Sequence, residues 1–244
     1  MFCAQLFFSF FEAYFSNYIE GTVFLVEEAR EIVYEGNDIP LRIQDSHDIR
    51  GTFQIVSNRK AMSIVPQTGD ELVELLRARH AVVLGGRPEK NPGAFKTRKN
   101  RAGDTVFVAP EFVLGTLKQG FAMMASLDDP IARALYMMFL VSEVHPFDDG
   151  NGRIARIMMN AELVRGGSSK IIIPTVYRDD YMLALRRLTR QRDASVFVRM
   201  MERASAFSHW LKPVTWEGMH AQLIKANAYK ESDQDGGVLR WAEE

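Results

Sequence analysis

The sequence predicts a mainly α-helical protein that carries a single β-hairpin. Residues 131–144 and 154–164 repeat apolar side chains at the spacing of an α-helix and flank a short polar loop. Residues 105–108 combine β-branched and aromatic side chains after a basic turn that contains glycine, which is typical of a hairpin strand. The 244 residues are 47% hydrophobic, enough to bury a sizeable core. We therefore expect a helical bundle with one hairpin.

The N-terminal segment is conspicuously aromatic and predicts an amphipathic helix around residues 5–20 that packs on the domain. Its apolar positions follow helical spacing: Phe7, Phe10, Phe11, Tyr14, Tyr18 and Ile19. A signal peptide is disfavoured because the segment lacks an initial basic region and Glu12 interrupts the apolar run. A membrane-spanning helix needs about 20 consecutive apolar residues, more than this segment offers.

The remaining segments are predicted from turn and helix signals. Residues 34–57 contain dense turn signals and predict a long connection rather than a regular element. Gly166 and Gly167 predict the end of the helix that follows the polar loop. Further amphipathic helices are predicted at three places: residues 71–79, 179–188 and 197–207. We divide the chain into an N-terminal segment (1–69), a core domain (70–207) and a C-terminal tail (208–244) with at most one helix.

Composition and charge limit the classes of partner. A formal net charge of −1 gives no general attraction to nucleic acid or to an anionic membrane, and we expect neither as a partner. A basic run at residues 96–101 could mark a nucleic-acid patch, but charges on a turn more often form a solvated tip. The single cysteine, Cys3, excludes an intramolecular disulfide and provides no metal cluster. These observations fit a reducing compartment, and we expect a cytoplasmic protein.

The most informative segment is the loop at residues 145–156, which reads HPFDDGNGRIAR. His145 is a candidate general base, because a histidine is largely neutral near pH 7 and can accept a proton from a hydroxyl. Asp149 is a candidate magnesium ligand, since Mg²⁺ takes one or two protein carboxylates and completes its shell with water and phosphate oxygens. The loop leads into a helix, whose first N–H groups have no intrahelical acceptor and carry partial positive charge. The segment therefore predicts a site for a phosphate-containing substrate.

Small and cationic residues complete this prediction. Gly150 and Gly152 let the backbone approach a bulky anion, and the Asn151 amide adds a donor where negative charge develops. Arg153 and Arg156 are three residues apart on the outgoing helix, so both can reach phosphate oxygens. Each feature alone is common in turns and helix ends, whereas all positions of HPF and GNGR rarely coincide by chance. We infer a transfer reaction in which the protein mainly positions groups and neutralises charge.

The loop resembles the signature HPF-x-[D/E]-GNGR-x-x-R of Fic-domain proteins, with every specified position present. Most Fic proteins are adenylyltransferases that move AMP from ATP onto a Ser, Thr or Tyr hydroxyl of a target protein. The resemblance implies a mainly α Fic fold, a helical bundle with a β-hairpin flap beside the active-site loop. It also implies ATP as substrate, magnesium as cofactor and a protein target as partner, and it leaves self-modification and a homodimer open.

The resemblance implies a role for the first residues of the loop. His145 would deprotonate the target hydroxyl. Asp149 would hold the magnesium ion that bridges the α- and β-phosphates. Asn151 would form an anion hole together with the backbone amides of Gly150 and Gly152.

The resemblance also implies contacts with the rest of the nucleotide. Arg153 would grip the β-phosphate and Arg156 the γ-phosphate, while Phe147 would anchor the loop in the core. Asp148 stands at the variable position and is assigned no role. The family pattern often places an aromatic residue against the adenosine, which makes Tyr181 the candidate for adenine contact; an ordinary core tyrosine is the alternative.

A second resemblance lies at the end of the N-terminal helix. Residues 16–21 read SNYIEG and match S-x-x-x-E-G, the inhibitory motif of Fic proteins that carry an N-terminal inhibitory helix. The match implies that Ser16 and Glu20 are inhibitory residues and that Glu20 pairs with Arg156. One guanidinium cannot hold a carboxylate and a γ-phosphate at once, so ATP would bind in an unproductive pose. A plain helix C-terminus capped by Gly21 is the alternative.

Residues 93–96, GAFK, resemble the G-x-[FY]-R entry to the flap of Fic proteins, with Lys96 in place of arginine. In the family, the flap holds a target segment by strand pairing beside the catalytic histidine. The resemblance therefore implies target docking by Lys96, Thr105, Val106 and Phe107. A lysine cannot reproduce the fork of an arginine, so the resemblance does not fix the geometry of the entry.

Three alternatives to AMP addition stay open. The same loop can transfer another phosphate-containing group, although the second glycine of GNGR favours AMP because phosphate-transferring relatives differ there. Removal of AMP from a modified protein would use Glu20 to position the attacking water. A non-catalytic module would bind ATP only to alter partner contacts, and the intact His145 argues against it.

Overall fold

The computed structural model describes residues 2–212 and 214–241, with side chains from Leu6 onward, so the Cys3 side chain lies outside the described part. The chain divides into two compact units, Met1–Val23 with Ser169–Glu244 and Phe24–Ser168. The predicted boundaries after residues 69 and 207 rest on motif positions rather than on compactness, and they stay a prediction.

The fold is mainly helical with one small antiparallel sheet, as the sequence predicts. The helices are α1 (Phe2–Ile19), α2 (Val26–Arg30), α3 (Ile43–Val56), α4 (Arg59–Met62), α5 (Gly69–Val83), α6 (Val113–Met123), α7 (Pro130–Val144), α8 (Asn151–Arg165), α9 (Arg178–Gln191), α10 (Ser195–Trp210) and α11 (Trp216–Lys225). The hairpin pairs β1 (Arg101–Ala102) with β2 (Thr105–Val106), in the register Arg101 opposite Val106 and Ala102 opposite Thr105. No described helix is long and apolar enough to cross a membrane.

The predicted N-terminal helix is confirmed as α1, which packs within the first unit. The Phe11 ring lies 6.0 Å from that of Trp216 in α11, and the Phe15 ring lies 5.4 Å from that of Tyr229. Glu12, which breaks the apolar run in the sequence, pairs at 2.6 Å with Lys170 and is itself buried. Its charge is therefore compensated inside the unit, as a buried carboxylate requires. The three further predicted helices are confirmed as α5, α9 and α10.

The interpretation of residues 34–57 as a connection is wrong, because most of this stretch forms α3. Its buried side chains recur at helical spacing: Asp48, Ile49, Thr52, Ile55 and Val56. Gly51 looked like a turn signal, but a Cβ on it would lie 2.6 Å from the carbonyl oxygen of Val82 in α5. The glycine thus permits close approach of α3 and α5, and tertiary packing outweighs its poor helix propensity.

We expect Gly51→Ala to destabilise the protein by about 1–3 kcal/mol, because its new methyl group would meet backbone that cannot move independently. Gly115→Ala is the matched control, since Gly115 is exposed on α6 and a Cβ there would meet nothing within 4 Å. It should stabilise the helix by about 0.5–1 kcal/mol. Thermal unfolding measures both, and equal effects would contradict the packing role of Gly51.

Candidate active site

The polar loop lies between α7 and α8, which pack along each other in the second unit. His145 follows α7 in the left-handed conformation with φ +49°, and Gly150 precedes α8 with φ +71°. A Cβ on Gly150 would also lie 2.4 Å from the Leu84 side chain. Both the dihedral angle and the contact therefore require glycine, which turns the chain so that α8 begins at Asn151.

His145 presents its ring beneath the flap. Its Nδ1 lies 3.4 Å from the carbonyl oxygen of Ser142, and because a carbonyl only accepts, this bond needs the proton on Nδ1. The lone pair is then on Nε2, the state required of a general base. The ring of Phe107 stacks on the imidazole at 3.8 Å and 5° and restricts its rotation.

The Asn151 side chain braces the loop internally. Its Oδ1 accepts from the backbone N–H of Phe147 at 2.8 Å, and its Nδ2 donates to the carbonyl of Phe147 at 2.9 Å. Only 1% of Asn151 is exposed. The Nδ2 group carries a second hydrogen, and the predicted anion-hole role of Asn151 stays a prediction. The described donors for an anion are the backbone N–H groups of the first turn of α8.

Phe147, expected to anchor the loop, is fully buried, and its ring stacks on that of His80 at 3.8 Å. His80 also accepts from the N–H of Gly93 at 2.9 Å on Nδ1, which leaves Nε2 to donate to the carbonyl of Asp149 at 3.1 Å. Burial lowers the pKa of His80 to about 4, so this residue is neutral near pH 7. His80 thus joins the flap entry to the loop. The sequence does not single it out, since His80 lies one residue beyond the helix predicted at residues 71–79.

Asp149 carries a partly exposed carboxylate in the loop. Its side chain is 36% exposed, and Oδ1 accepts from the N–H of Gly150 at 2.6 Å. Two cations lie nearby: the Lys90 Nζ is 3.7 Å from Oδ2, and the Arg153 Nη2 is 3.7 Å from Oδ1. Among the described residues, no group of three His, Cys, Asp or Glu side chains forms a metal cage. A single accessible carboxylate still fits magnesium that completes its shell with phosphate oxygens and water.

Arg153 is held by a carboxylate that the sequence reasoning did not single out. Its Nη1 donates to Oδ2 of Asp48 at 2.6 Å, and the Nε of Arg87 donates to the same oxygen at 2.8 Å. Arg87 continues to Asp45, with Nη2 2.6 Å from Oδ1. Asp48 lies on α3, the helix misinterpreted as a connection. The spacing of Ile49, Ile55 and Val56 fits a helix, but Gly51 among them weakens this signal, so the sequence does not predict α3.

The other predicted nucleotide and inhibitory residues differ in their surroundings. Arg156 lies one turn beyond Arg153 in α8 and is 5% exposed. Ser16 and Tyr181 belong to the first unit and are buried, while Glu20 follows α1 and is exposed. The pairing of Glu20 with Arg156, the inhibitory part of Ser16 and the adenine contact of Tyr181 stay predictions.

Lys96 faces the loop, not the surface of the flap. Its backbone N–H donates to the carbonyl of Pro146 at 2.9 Å, and its Nζ donates to Oδ1 of Asn100 at 2.7 Å and to the carbonyl of Val144 at 3.3 Å. The side chain is 3% exposed, so its predicted contact with a target is corrected to a brace at the C-terminus of α7. Asn100 extends this brace by donating to the carbonyl of Phe147 at 2.9 Å.

The exposed part of the flap is the two-stranded ribbon. Val106 is 68% exposed, and Thr105 is partly exposed beside it. Within the described residues the sheet contains only β1 and β2, so each strand has one edge that pairs with no other strand. Such an edge can accept an extended segment by strand addition.

The buried Lys96 should make stability depend on pH. Burial lowers the pKa of Lys96 from 10.5 to about 8, so the unfolded chain binds more protons between these values. The free energy of unfolding should therefore rise between pH 8 and pH 10.5, by up to about 3 kcal/mol from this residue. Denaturant titrations should show a smaller rise for Lys96→Met, while Lys60→Met, at an exposed lysine, should retain it. Parallel profiles for all three proteins would contradict the prediction.

The helical fold and the loop resemble those of Fic proteins, and comparison with known proteins supports this resemblance. The model of the Fic/DOC family matches residues 71–163, from α5 to α8. This region is therefore similar to the Fic/DOC family, and it contains the complete signature of the loop.

Curated relatives that match this chain are named protein adenylyltransferases. Protein adenylyltransferase fic-1 of Caenorhabditis elegans is 28% identical over 82% of this chain, and protein adenylyltransferase Fic of Nematostella vectensis is 29% identical over 80%. The matched regions are 40% and 47% of those proteins, so the chain spans less than half the length of these relatives.

Solved structures show the same fold. Residues 134–508 of C. elegans Fic-1 superpose with a TM-score of 0.68 at 24% identity, covering 88% of this chain and 63% of that one. A Fic-domain signaling protein from Bacteroides thetaiotaomicron superposes with a TM-score of 0.65 at 19% identity, covering 94% and 90% of the two chains.

Proposed function

We propose that this protein is an adenylyltransferase that moves AMP from ATP to a hydroxyl side chain of a target protein. The observation that carries the proposal is the placement of His145 at the end of α7, one short turn before the anion-binding start of α8. The adenylyltransferase names of the curated relatives support the same reaction. A cytoplasmic location, based on cysteine content, belongs to the proposal.

The reaction needs one proton transfer and one displacement at phosphorus. The Nε2 atom of His145 takes the proton of the target hydroxyl, and the hydroxyl oxygen forms a bond to the α-phosphorus of ATP. The bond from that phosphorus to the bridging oxygen breaks, and pyrophosphate leaves with the electron pair. The N–H groups at the start of α8 stabilise the negative charge on the α-phosphate oxygens. Arg153 and Arg156 bind the β- and γ-phosphates.

Asp149 is the residue that would hold magnesium. When bound, the ion supplies positive charge that neutralises the phosphates of ATP. Asp149 is suited to this because its carboxylate is accessible and is oriented by the Gly150 N–H. Lys90 and Arg153 supply further positive charge beside the same carboxylate.

The target segment would join the open edge of the flap hairpin. Main-chain hydrogen bonds to β2 would fix the segment without demanding a particular sequence. Phe107 follows β2 directly and stacks on His145, so a segment aligned along β2 would be brought near the base. This arrangement supports modification of an extended loop in a folded protein.

Regulation by Glu20 is part of the proposal. The end of α1 is firmly fixed within the first unit: Arg178 donates to the carbonyl of Ile19 at 3.3 Å, and the Tyr18 hydroxyl binds the Glu231 carboxylate. Gly21 has φ +89°, and the N–H of Thr22 donates to the carbonyl of Asn17 at 3.1 Å. An exposed Glu20 on so well defined a helix end is suited to compete with the γ-phosphate for Arg156.

Intact-mass spectrometry of the purified Glu20→Gly protein, incubated with magnesium and ATP, tests the reaction. We expect an added mass of AMP on the protein itself, with no such addition when ATP is replaced by a non-hydrolysable analogue with a methylene between the α- and β-phosphorus atoms. A mass of phosphate instead would assign another transferred group. No covalent addition to the protein or to proteins of a cell extract, despite ATP binding, would refute the transferase.

A further inference from the structure

We propose that Asp48 is a positioning residue that fixes the guanidinium of Arg153 for the β-phosphate of the nucleotide. The inference rests on the proposed function, because the substrate of Arg153 is taken from it. Asp48 lies on α3, outside residues 71–163 that match the family model. The segment before the family domain therefore contributes to the site.

The geometry gives Arg153 a defined direction. Its Nη1 is bound to Asp48 at 2.6 Å, while its Nη2 is 3.7 Å from Asp149 Oδ1, at the loop. The guanidinium is planar, so fixing one terminal nitrogen on Asp48 determines where the other points. Arg153 consequently aims a donor at the place where the phosphates would lie beside Asp149.

Asp48 also binds a second arginine through the same carboxylate oxygen, Oδ2. The Arg87 Nε donates to it at 2.8 Å, and Arg87 is linked to Asp45 at 2.6 Å. Asp48 is 0% exposed and Arg153 3%, whereas Asp45 and Arg87 reach solvent. This ion-pair network thus extends from the surface to the loop through Asp45, Arg87, Asp48 and Arg153. Its two negative and two positive charges balance.

A contribution to stability does not by itself explain this ion-pair network. Buried ion pairs often contribute no more than apolar packing would, because both charges lose their hydration. Asp48 also has an unfavourable feature: its Oδ1 is buried and has no hydrogen-bond partner in the part of the chain that the structure describes. Preorganisation of Arg153 does explain the ion-pair network, since a guanidinium that is already fixed loses less side-chain freedom when a phosphate binds.

Comparison of ADP with AMP isolates this effect, since only ADP has the β-phosphate that Arg153 would bind. Calorimetric titrations in the Glu20→Gly background, with magnesium, give the affinity of each variant for both nucleotides. Arg153→Ala defines the full loss of ADP preference. Asp48→Asn should lower the ratio of ADP to AMP affinity about tenfold, equal to about 1.4 kcal/mol, with AMP affinity unchanged.

Asp45→Asn is the matched control, because it removes the same charge from the solvent-exposed end of the ion-pair network, where Asp45 pairs with Arg87 and not with Arg153. It should keep the ratio of the parent protein. Asp48→Ala should lose at least as much preference as Asp48→Asn; if Asp48→Ala fails to fold, the isosteric Asp48→Asn decides the question.

Three results would overturn the assignment: an unchanged ratio in Asp48→Asn, equal weakening of ADP and AMP, or the same loss in Asp45→Asn. Equal weakening of ADP and AMP binding would show that Asp48 has only a structural role. Failure of the parent protein to bind any adenine nucleotide would refute the proposed function itself, and is distinct from all three.

Discussion

The His145→Ala variant should lose AMP transfer while it still binds ATP. In the proposed reaction His145 is the general base, and positioned general bases contribute about 100- to 10,000-fold to the rate. The proposed nucleotide contacts lie elsewhere, at the start of α8 and on Arg153 and Arg156, so the affinity for ATP should be unchanged. Incorporation of radiolabel from α-labelled ATP measures transfer, and calorimetry measures binding. The measurements belong in the Glu20→Gly background, where transfer is expected to be fastest.

Two controls separate the base from its surroundings. His209→Ala makes the same substitution at an exposed position on α10 and should change nothing. Phe107→Leu removes the ring that stacks on His145 but leaves the base, so it should lose less than His145→Ala. Full AMP transfer by the His145→Ala variant would refute the role of His145 as general base. Binding of ATP with no transfer by any variant would favour a nucleotide-sensing module.

The Glu20→Gly variant should transfer AMP, and modify itself, faster than the wild type. If Glu20 pairs with Arg156 as proposed, removing the carboxylate would leave Arg156 available to the γ-phosphate, and ATP would adopt the productive pose. Coupling between two such sites typically amounts to about 1–3 kcal/mol, which corresponds to about 5- to 150-fold in rate or affinity. Initial rates of label incorporation at saturating ATP measure the effect.

Glu20→Gln and Glu27→Gln form a matched pair for this prediction. Both remove one exposed carboxylate without changing the size of the side chain, but only Glu20 lies in the S-x-x-x-E-G motif. Glu20→Gln should resemble Glu20→Gly, and Glu27→Gln should resemble the wild type. Equal rates for wild type and Glu20→Gly would remove the inhibitory assignment and leave Gly21 as a simple helix cap.

The helical elements that pack by periodic apolar faces were predictable, and α3 shows where such prediction fails. Gly51 and Asp48 have poor helix propensity, and only the close approach of α5 explains why this stretch is helical. Local signals cannot reveal a partner that lies some thirty residues further along the chain. The same failure hid Asp48, because its place on α3 became visible only with that helix.

The loop separates the two kinds of information most clearly. The sequence by itself determined the kind of site, because residue type and short-range spacing place His145, Asp149, Arg153 and Arg156 around one turn. Tertiary structure decided what each neighbouring side chain does: Asn151 and Lys96 brace the loop, His80 joins it to the flap entry, and Asp48 orients Arg153. The assignments of Lys96, His80 and Asp48 depend on contacts between residues far apart in the chain, and buried polar groups take whichever partner the packed interior provides.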